Sequence, residues 1–203
     1  MDSDTLWGHI DRERAWIADL LDSLPEESWE VQSLCSGWTV RDVAAHLTCA
    51  HSRMRDILWP AIRTGFRYNA MIDHAAVHSP LTHDEIVAKI RSFVGSRRKA
   101  PMISDYEPLI DTLVHVQDIC QPLGIDHKMP PDAAAAAADR VLNTPWPLSL
   151  WKPEPGVRLV ATDVDWSYGD GTVLRAPIQH LLLTLTGRSP TSAQLGRGTA
   201  TPI

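Results

Sequence analysis

Apolar side chains recur every three or four residues in four stretches of the first 122 residues, which is the pattern of an amphipathic helix. This periodicity predicts helices over residues 4–23, 39–59, 82–98 and 104–119. Thr39 and Thr82 each stand three positions before an acidic residue, a spacing typical of the capping box that begins a helix. Prolines at positions 25, 60 and 122 end three of the stretches. Together these features predict a four-helix bundle.

The pattern changes after residue 121, and ten of the 15 prolines lie beyond that point. Here it predicts a short helix at residues 133–138 begun by Asp132, strands at 157–162 and 172–175 paired as a hairpin through a turn at 168–171, and a helix at 178–185. We therefore expect a mainly α protein. Its helical bundle would occupy residues 1–145, and a small α+β appendage would occupy residues 146–203.

Composition and charge exclude several classes of protein. The 203 residues carry a net charge of -6, which disfavours a general nucleic-acid binder because such proteins need a basic surface. No apolar stretch reaches about 18 residues, so we expect no membrane span, and the acidic start does not resemble a signal peptide. Three cysteines without a CxxC spacing argue against a disulfide framework. A reducing cytoplasm is the expected location.

The residues that best suggest chemistry are His46, Asp111 and His115. Asp111 and His115 are four positions apart on the fourth predicted helix, so both point the same way, and His46 lies on the apolar face of the second. Two imidazoles and one carboxylate from facing helices of a bundle could hold a metal ion with coordination positions left open. Asp118 lies on the same face as His115, where it could orient a ligand histidine or act as a base.

Other interpretations remain open at this point. His74 and His78 form a second pair four positions apart, with Asp73 adjacent, but weaker apolar support favours a solvated segment. Cys35 and Cys49 are interpreted as small buried side chains, although Cys49 lies one turn from His46. The eight tryptophans could serve an interface, but core packing is the default interpretation. A homodimer is compatible with the pattern, and nothing in it requires one.

Two motifs resemble one known family. Residues 34–47, LCSGWTVRDVAAHL, are similar to the opening motif of the mycothiol-dependent maleylpyruvate isomerases, and residues 113–119, LVHVQDI, are similar to their second motif. These enzymes belong to the wider group of DinB-like metal-binding four-helix bundles. Residues 159–163 with Trp166, and residues 181–188, show a weaker similarity to the small C-terminal domain of the same family.

The resemblance implies a metal-dependent enzyme that uses mycothiol, a low-molecular-weight thiol, as co-substrate. A divalent metal, commonly zinc, would be held by His46, Asp111 and His115, and nickel, iron or manganese would also suit these ligands. The metal-bound thiolate would attack a small electrophilic substrate in a transfer or an isomerisation. Asp118 and Arg188 are the catalytic candidates that accompany this hypothesis.

One departure from the family leaves an alternative open. The family usually carries glutamate where this chain has Asp111, whose carboxylate reaches one methylene less far. The alternative is therefore a non-catalytic binding or interaction module that the metal stabilises and whose site is degenerate.

Overall fold

The computed structural model describes residues 1–51, 74–99, 103–144 and 156–188. The chain divides into two compact units, Met1–His127 and Lys128–Ile203. The predicted boundary between residues 145 and 146 lies outside the described residues, so the division into domains 1–145 and 146–203 stays a prediction.

The first unit is a bundle of helices. Its described helices are α1 (Ser3–Ser23), α2 (Glu26–Trp29), α3 (Val40–Leu47), α4 (His83–Arg91) and α5 (Tyr106–Cys120). Helices α1 and α3 each pack against both α4 and α5, so these four helices surround one core. The predicted mainly α class with a four-helix bundle is confirmed.

The core of the bundle comes from the predicted apolar faces. Its fully buried large side chains include Ile10 and Ile17 of α1, Ile86 and Ile90 of α4, and Leu113 of α5. Each large aliphatic side chain buried in this way contributes roughly 1.5–3 kcal/mol of transfer free energy. Helix α5 buries several side chains in this core, and this packing holds the helix in place.

The helix beginnings follow the predicted caps more closely than the helix ends follow the predicted stops. Thr39 and Thr82 both form complete capping boxes, with Asp42 and Glu85 as their acidic partners. Helix α4 ends at Arg91 instead of residue 98, because turns take over and Gly95 adopts a φ of +77°. Helix α3 ends at Leu47, and residues 48–51 form turns. Its predicted continuation to residue 59 lies largely outside the described residues.

The second unit combines two helices with a small sheet. Its described elements are α6 (Pro131–Asn143), β1 (Val157–Ala161), β2 (Ser167–Tyr168), β3 (Thr172–Ala176) and α7 (Ile178–Leu185). Helix α7 packs against α6 and β1. Helix α6 begins at Pro131 with Pro130 as its N-cap, so the role predicted for Asp132 was wrong, although the helix itself is present.

The predicted hairpin of two long strands was wrong. Strands β1 and β3 pair in parallel, while the short strand β2 pairs antiparallel with the other edge of β1. After β2 the chain turns tightly and enters β3 on the opposite edge of β1. Glycines at positions 169 and 171 make this turn possible. At Gly171, with a φ of +117°, a Cβ atom would lie 2.3 Å from the carbonyl oxygen of Gly156. Only glycine allows this approach of two backbone segments.

No helix in the described part of the chain combines the length and the apolar character needed to cross a lipid bilayer.

Candidate metal centre

Two helices of the bundle position the candidate ligands. His46 lies in the last turn of α3, a helix whose beginning is fixed by the capping box of Thr39 and Asp42. Asp111 and His115 lie one turn apart on α5, so their side chains leave the same face of that helix. Because α3 and α5 pack against each other, all three side chains meet between them.

The three side chains converge on one point. Asp111 Oδ1 lies 3.1 Å from Nε2 of His46 and 3.4 Å from Nε2 of His115. One donor atom from each residue lies within 4.8 Å of the other two. All three residues are partly buried, so an ion held here would still have access to small molecules from solvent.

These separations match the chemistry of a zinc ligand set. In a tetrahedral site with metal–ligand bonds of about 2.0–2.1 Å, neighbouring donor atoms are roughly 3.3 Å apart. The measured 3.1 and 3.4 Å lie on either side of that value. The aspartate at position 111 therefore reaches both imidazoles despite its short side chain. Two nitrogens and one carboxylate oxygen leave a fourth position for another ligand.

Asp118 supports one of the histidines from behind. Its side chain is 0% exposed, and its Oδ2 lies 2.8 Å from Nδ1 of His115. When Nδ1 of a neutral His115 donates its proton to Asp118, the lone pair of Nε2 is left for a cation bound beside Asp111 and His46. Since the carboxylate is fully buried, this geometry favours the orienting role foreseen for Asp118 over that of a base.

The electrostatics of the centre favour ionised forms. Burial alone raises the pKa of Asp111, but the charge of His46 and hydrogen bonds from both histidines outweigh it and hold that pKa below its usual range. Burial alone lowers the pKa of His115, yet hydrogen bonds to Asp111, Asp118 and Cys35 raise it well above its usual value. The raised pKa favours the protonated ring of His115, so a cation binding at this histidine would compete with a proton.

The sequence resembles a known family over part of the chain, and the fold resembles solved structures over all of it. Residues 10–103 match the family model of the mycothiol maleylpyruvate isomerase N-terminal domain. This match supports the predicted resemblance to that family over residues 10–103, which are just under half of the chain. The matched segment contains His46, whereas Asp111 and His115 lie after its end.

Two crystal structures of mycothiol-dependent maleylpyruvate isomerase resemble this chain in fold along its whole length. One of them is a histidine-to-alanine mutant, with a TM-score of 0.63. The other has a TM-score of 0.62. Each is 13% identical to this chain, and each alignment covers 100% of this chain and 97% of the other. At that identity the likeness concerns the fold alone. No curated protein matches this chain.

Two residues around His46 were not predicted as part of the site. The ring of Trp38 lies 5.3 Å from that of His46 and 6.2 Å from that of His115, measured between centroids. Cys35 contacts Asp118, with its Sγ 3.1 Å from Oδ2, and is partly buried. The cysteine was interpreted as a small buried side chain. The only sequence feature that linked Cys35 to the site is that it lies in the same motif, residues 34–47, as His46.

The remaining candidates in the first unit lie apart from this arrangement. The rings of His74 and His78 stack on each other 4.4 Å apart, and neither belongs to a metal-binding group among the described residues. Asp73 lies outside the described residues. Cys49 Sγ lies 3.9 Å from the backbone oxygen of Ala45, and the suggested pairing of Cys49 with His46 stays a prediction.

Arg188 belongs to the second unit. Its Nη1 donates a hydrogen bond of 2.7 Å to the backbone oxygen of Thr186, just after α7. Its role toward a substrate stays a prediction.

Replacing Thr39 by alanine is expected to weaken both the fold and metal binding. The change removes one half of the capping box on the helix that carries His46, at a cost of about 0.5–2 kcal/mol of unfolding free energy. Thr82→Ala is the matched control, because it removes the equivalent cap from α4, which carries no ligand. Chemical denaturation should show similar losses for both variants, while zinc titration should show weaker binding only for Thr39→Ala. Equal zinc affinities would contradict this.

Proposed function

We propose that this protein is a metal-dependent enzyme that uses mycothiol, or a closely similar thiol, to transfer sulfur to a small electrophilic substrate or to isomerise it. The observation that supports this most is the convergence of His46, Asp111 and His115, in which Asp111 Oδ1 lies 3.1 and 3.4 Å from the Nε2 atoms of the two histidines and Asp118 Oδ2 lies 2.8 Å from Nδ1 of His115. The domain family of residues 10–103 supports the choice of thiol.

In this proposal His46 and His115 provide Nε2 atoms and Asp111 provides Oδ1 as ligands of one divalent cation, with zinc as the first choice. A bound cation with an open coordination position lowers the pKa of a thiol, so that a nucleophilic thiolate is present at neutral pH. Asp118 keeps the Nδ1 proton of His115 and so fixes which nitrogen faces the centre. Trp38, only 8% exposed, places its ring beside both imidazoles, with centroids 5.3 Å from His46 and 6.2 Å from His115.

The reaction itself follows from the chemistry of thiolates. The sulfur forms a bond to an electrophilic carbon of the substrate, and the electron pair of the attacked double bond moves onto an adjacent electron-withdrawing group. If rotation about the former double bond precedes loss of the thiolate, the product is the other geometric isomer. If another group leaves instead, sulfur stays on the product. Arg188 is proposed to bind an anionic group of the thiol or the substrate.

This proposal carries expectations for the protein's surroundings. A low-molecular-weight thiol is kept reduced in the cytoplasm, which we propose as the location. The partners are then the small thiol and its electrophile, without nucleic acid or membrane. A homodimer stays a prediction.

An assay of mycothiol-dependent chemistry tests the proposed function. Zinc-loaded protein is supplied with mycothiol and either maleylpyruvate or a general electrophilic probe, and isomer formation and thiol consumption are followed separately. We expect turnover that needs both the thiol and the metal. A protein that binds one zinc per chain yet accelerates neither reaction would contradict the enzyme and favour the metal-stabilised binding module.

Metal binding is expected to strengthen as the pH rises through neutrality. Because the pKa of His115 is raised well above its usual value, the cation must displace its proton, and affinity should rise about tenfold per pH unit below that pKa. The stability of the metal-free protein should change in the opposite direction. Its free energy of unfolding should fall as the pH rises through the raised pKa of His115, because the contacts of the protonated ring are then lost. Calorimetry in buffers of different ionisation enthalpy measures the released proton. Affinity independent of pH would contradict this.

A further inference from the structure

A second group of donor atoms lies on the other side of the His115 ring. Cys35 Sγ lies 3.1 Å from Asp118 Oδ2 and 3.9 Å from His115 Nδ1. His115 Nδ1 and Asp118 Oδ2 are 2.8 Å apart. These three residues form a potential metal-binding group distinct from the one with His46 and Asp111, and they share only His115 with it. The two groups use opposite nitrogens of that imidazole.

The size of this second group suits a small divalent cation. An ion at equal distances from Cys35 Sγ, His115 Nδ1 and Asp118 Oδ2 would lie about 2 Å from each atom, close to zinc–nitrogen and zinc–oxygen bonds and slightly shorter than zinc–sulfur bonds of about 2.3 Å. Its donors differ in kind from those of the first group, because they include a thiol. A thiolate ligand favours zinc and softer cations over magnesium or calcium.

The loop that carries Cys35 is held in place before any ion binds. The side chain of Gln32 donates to the backbone oxygens of Cys35 and Trp38, at 2.9 and 2.7 Å. The backbone N–H of Cys35 donates to Ser33 Oγ at 3.1 Å. The backbone N–H of Leu34 donates to the backbone oxygen of Asp118, also at 3.1 Å, which ties the loop directly to α5. Such preorganisation reduces the entropic cost of gathering ligands.

We propose that Cys35, His115 and Asp118 form a second, thiolate-containing cation site that competes with the first group for His115. A neutral imidazole has one lone pair, so binding at Nδ1 places the ring proton on Nε2 and withdraws His115 from Asp111 and His46. The thiol proton of Cys35 and the proton on Nδ1 of a protonated His115 pass to solvent when the cation binds. This site is not part of the proposed activity. A cation held there would leave the first group without His115 and so without its complete ligand set for thiol chemistry.

Cobalt(II) titration of the whole protein distinguishes the two groups. Co²⁺ is close to Zn²⁺ in size, and a strong near-ultraviolet charge-transfer band appears only when a thiolate binds it. We expect this band in His46→Ala, where the competing group is disabled, and a weaker band in wild type. Adding Cys35→Ser to His46→Ala should reduce the band at least about tenfold, because a hydroxyl does not replace a thiolate. His46→Ala with Cys49→Ser is the matched control and should keep it.

The result that overturns the proposal is the absence of a thiolate band in His46→Ala, with circular dichroism showing the wild-type helix content. A band that survives Cys35→Ser would overturn it as well, because another thiol would then be the ligand. Neither result affects the proposed function. Cys35→Ser alone retains His46, Asp111 and His115, and its cobalt binding, measured by equilibrium dialysis, tests that group separately.

Discussion

Replacing His115 by alanine is expected to abolish thiol-dependent turnover and metal binding together. The imidazole supplies Nε2 beside Asp111 and is fixed through Nδ1 by Asp118, so alanine removes the ligand and the anchor of the centre at once. Activation of a nucleophile by a bound metal contributes several kcal/mol, so kcat/KM should fall by about three orders of magnitude or more. Steady-state kinetics at saturating zinc measures this loss.

The control for this change is His78→Ala. His78 is exposed, and its ring stacks on His74 away from the metal-binding groups of the described residues. Its replacement should leave kcat/KM within about twofold of wild type, since isolated surface changes rarely alter function.

His46→Ala should lose turnover as His115→Ala does, because Nε2 of His46 is the other nitrogen beside Asp111. Full activity in His115→Ala would remove this residue from the mechanism.

Asp118→Asn is expected to weaken metal binding by about 10–100-fold while leaving the helices intact. Asparagine keeps the shape and can still accept a hydrogen bond, but it lacks the negative charge that strengthens Nε2 of His115 as a ligand. Because Asp118 is 0% exposed, solvent cannot replace that charge. Competition with a zinc-binding dye measures the affinity, and circular dichroism checks the fold.

A matched change elsewhere separates this effect from a general loss of charge. Asp105 is the N-cap residue of the same helix, α5, and its Oδ1 pairs with Lys99 at 2.6 Å, where both side chains are partly exposed. Asp105→Asn should leave zinc affinity unchanged, because screened pairs of this kind contribute about 0–1 kcal/mol and act only locally. Equal zinc affinities for Asp118→Asn and wild type would show that Asp118 does not orient His115.

Local patterns predicted those parts of the fold and the site that depend on nearby residues. The capping boxes at Thr39 and Thr82 need only a side chain and a backbone three positions away, and both are present. The shared face of Asp111 and His115 follows from one helical turn. Periodicity likewise located the buried faces of α1 and α4.

Features that depend on distant parts of the chain were missed. The contact between Cys35 and Asp118 joins residues 83 positions apart and depends on the path of an irregular loop. The parallel pairing of β1 and β3 could not be predicted because alternation of apolar residues carries no strand direction. The early end of α4 was missed for a local reason, because turns at residues 92–95, with Gly95 at a positive φ, compete with a continuing helix.

The measurement that tests the central claim most directly is the metal content of purified protein by mass spectrometry in a Cys35→Ser background. This background removes the thiol of the second group and leaves His46, Asp111 and His115 in place. We predict about one divalent metal per chain in Cys35→Ser and almost none once Asp111→Ala is added, because the carboxylate then no longer joins the two imidazoles. Equal metal content in the two variants, whether both bind or neither does, would contradict the proposed centre.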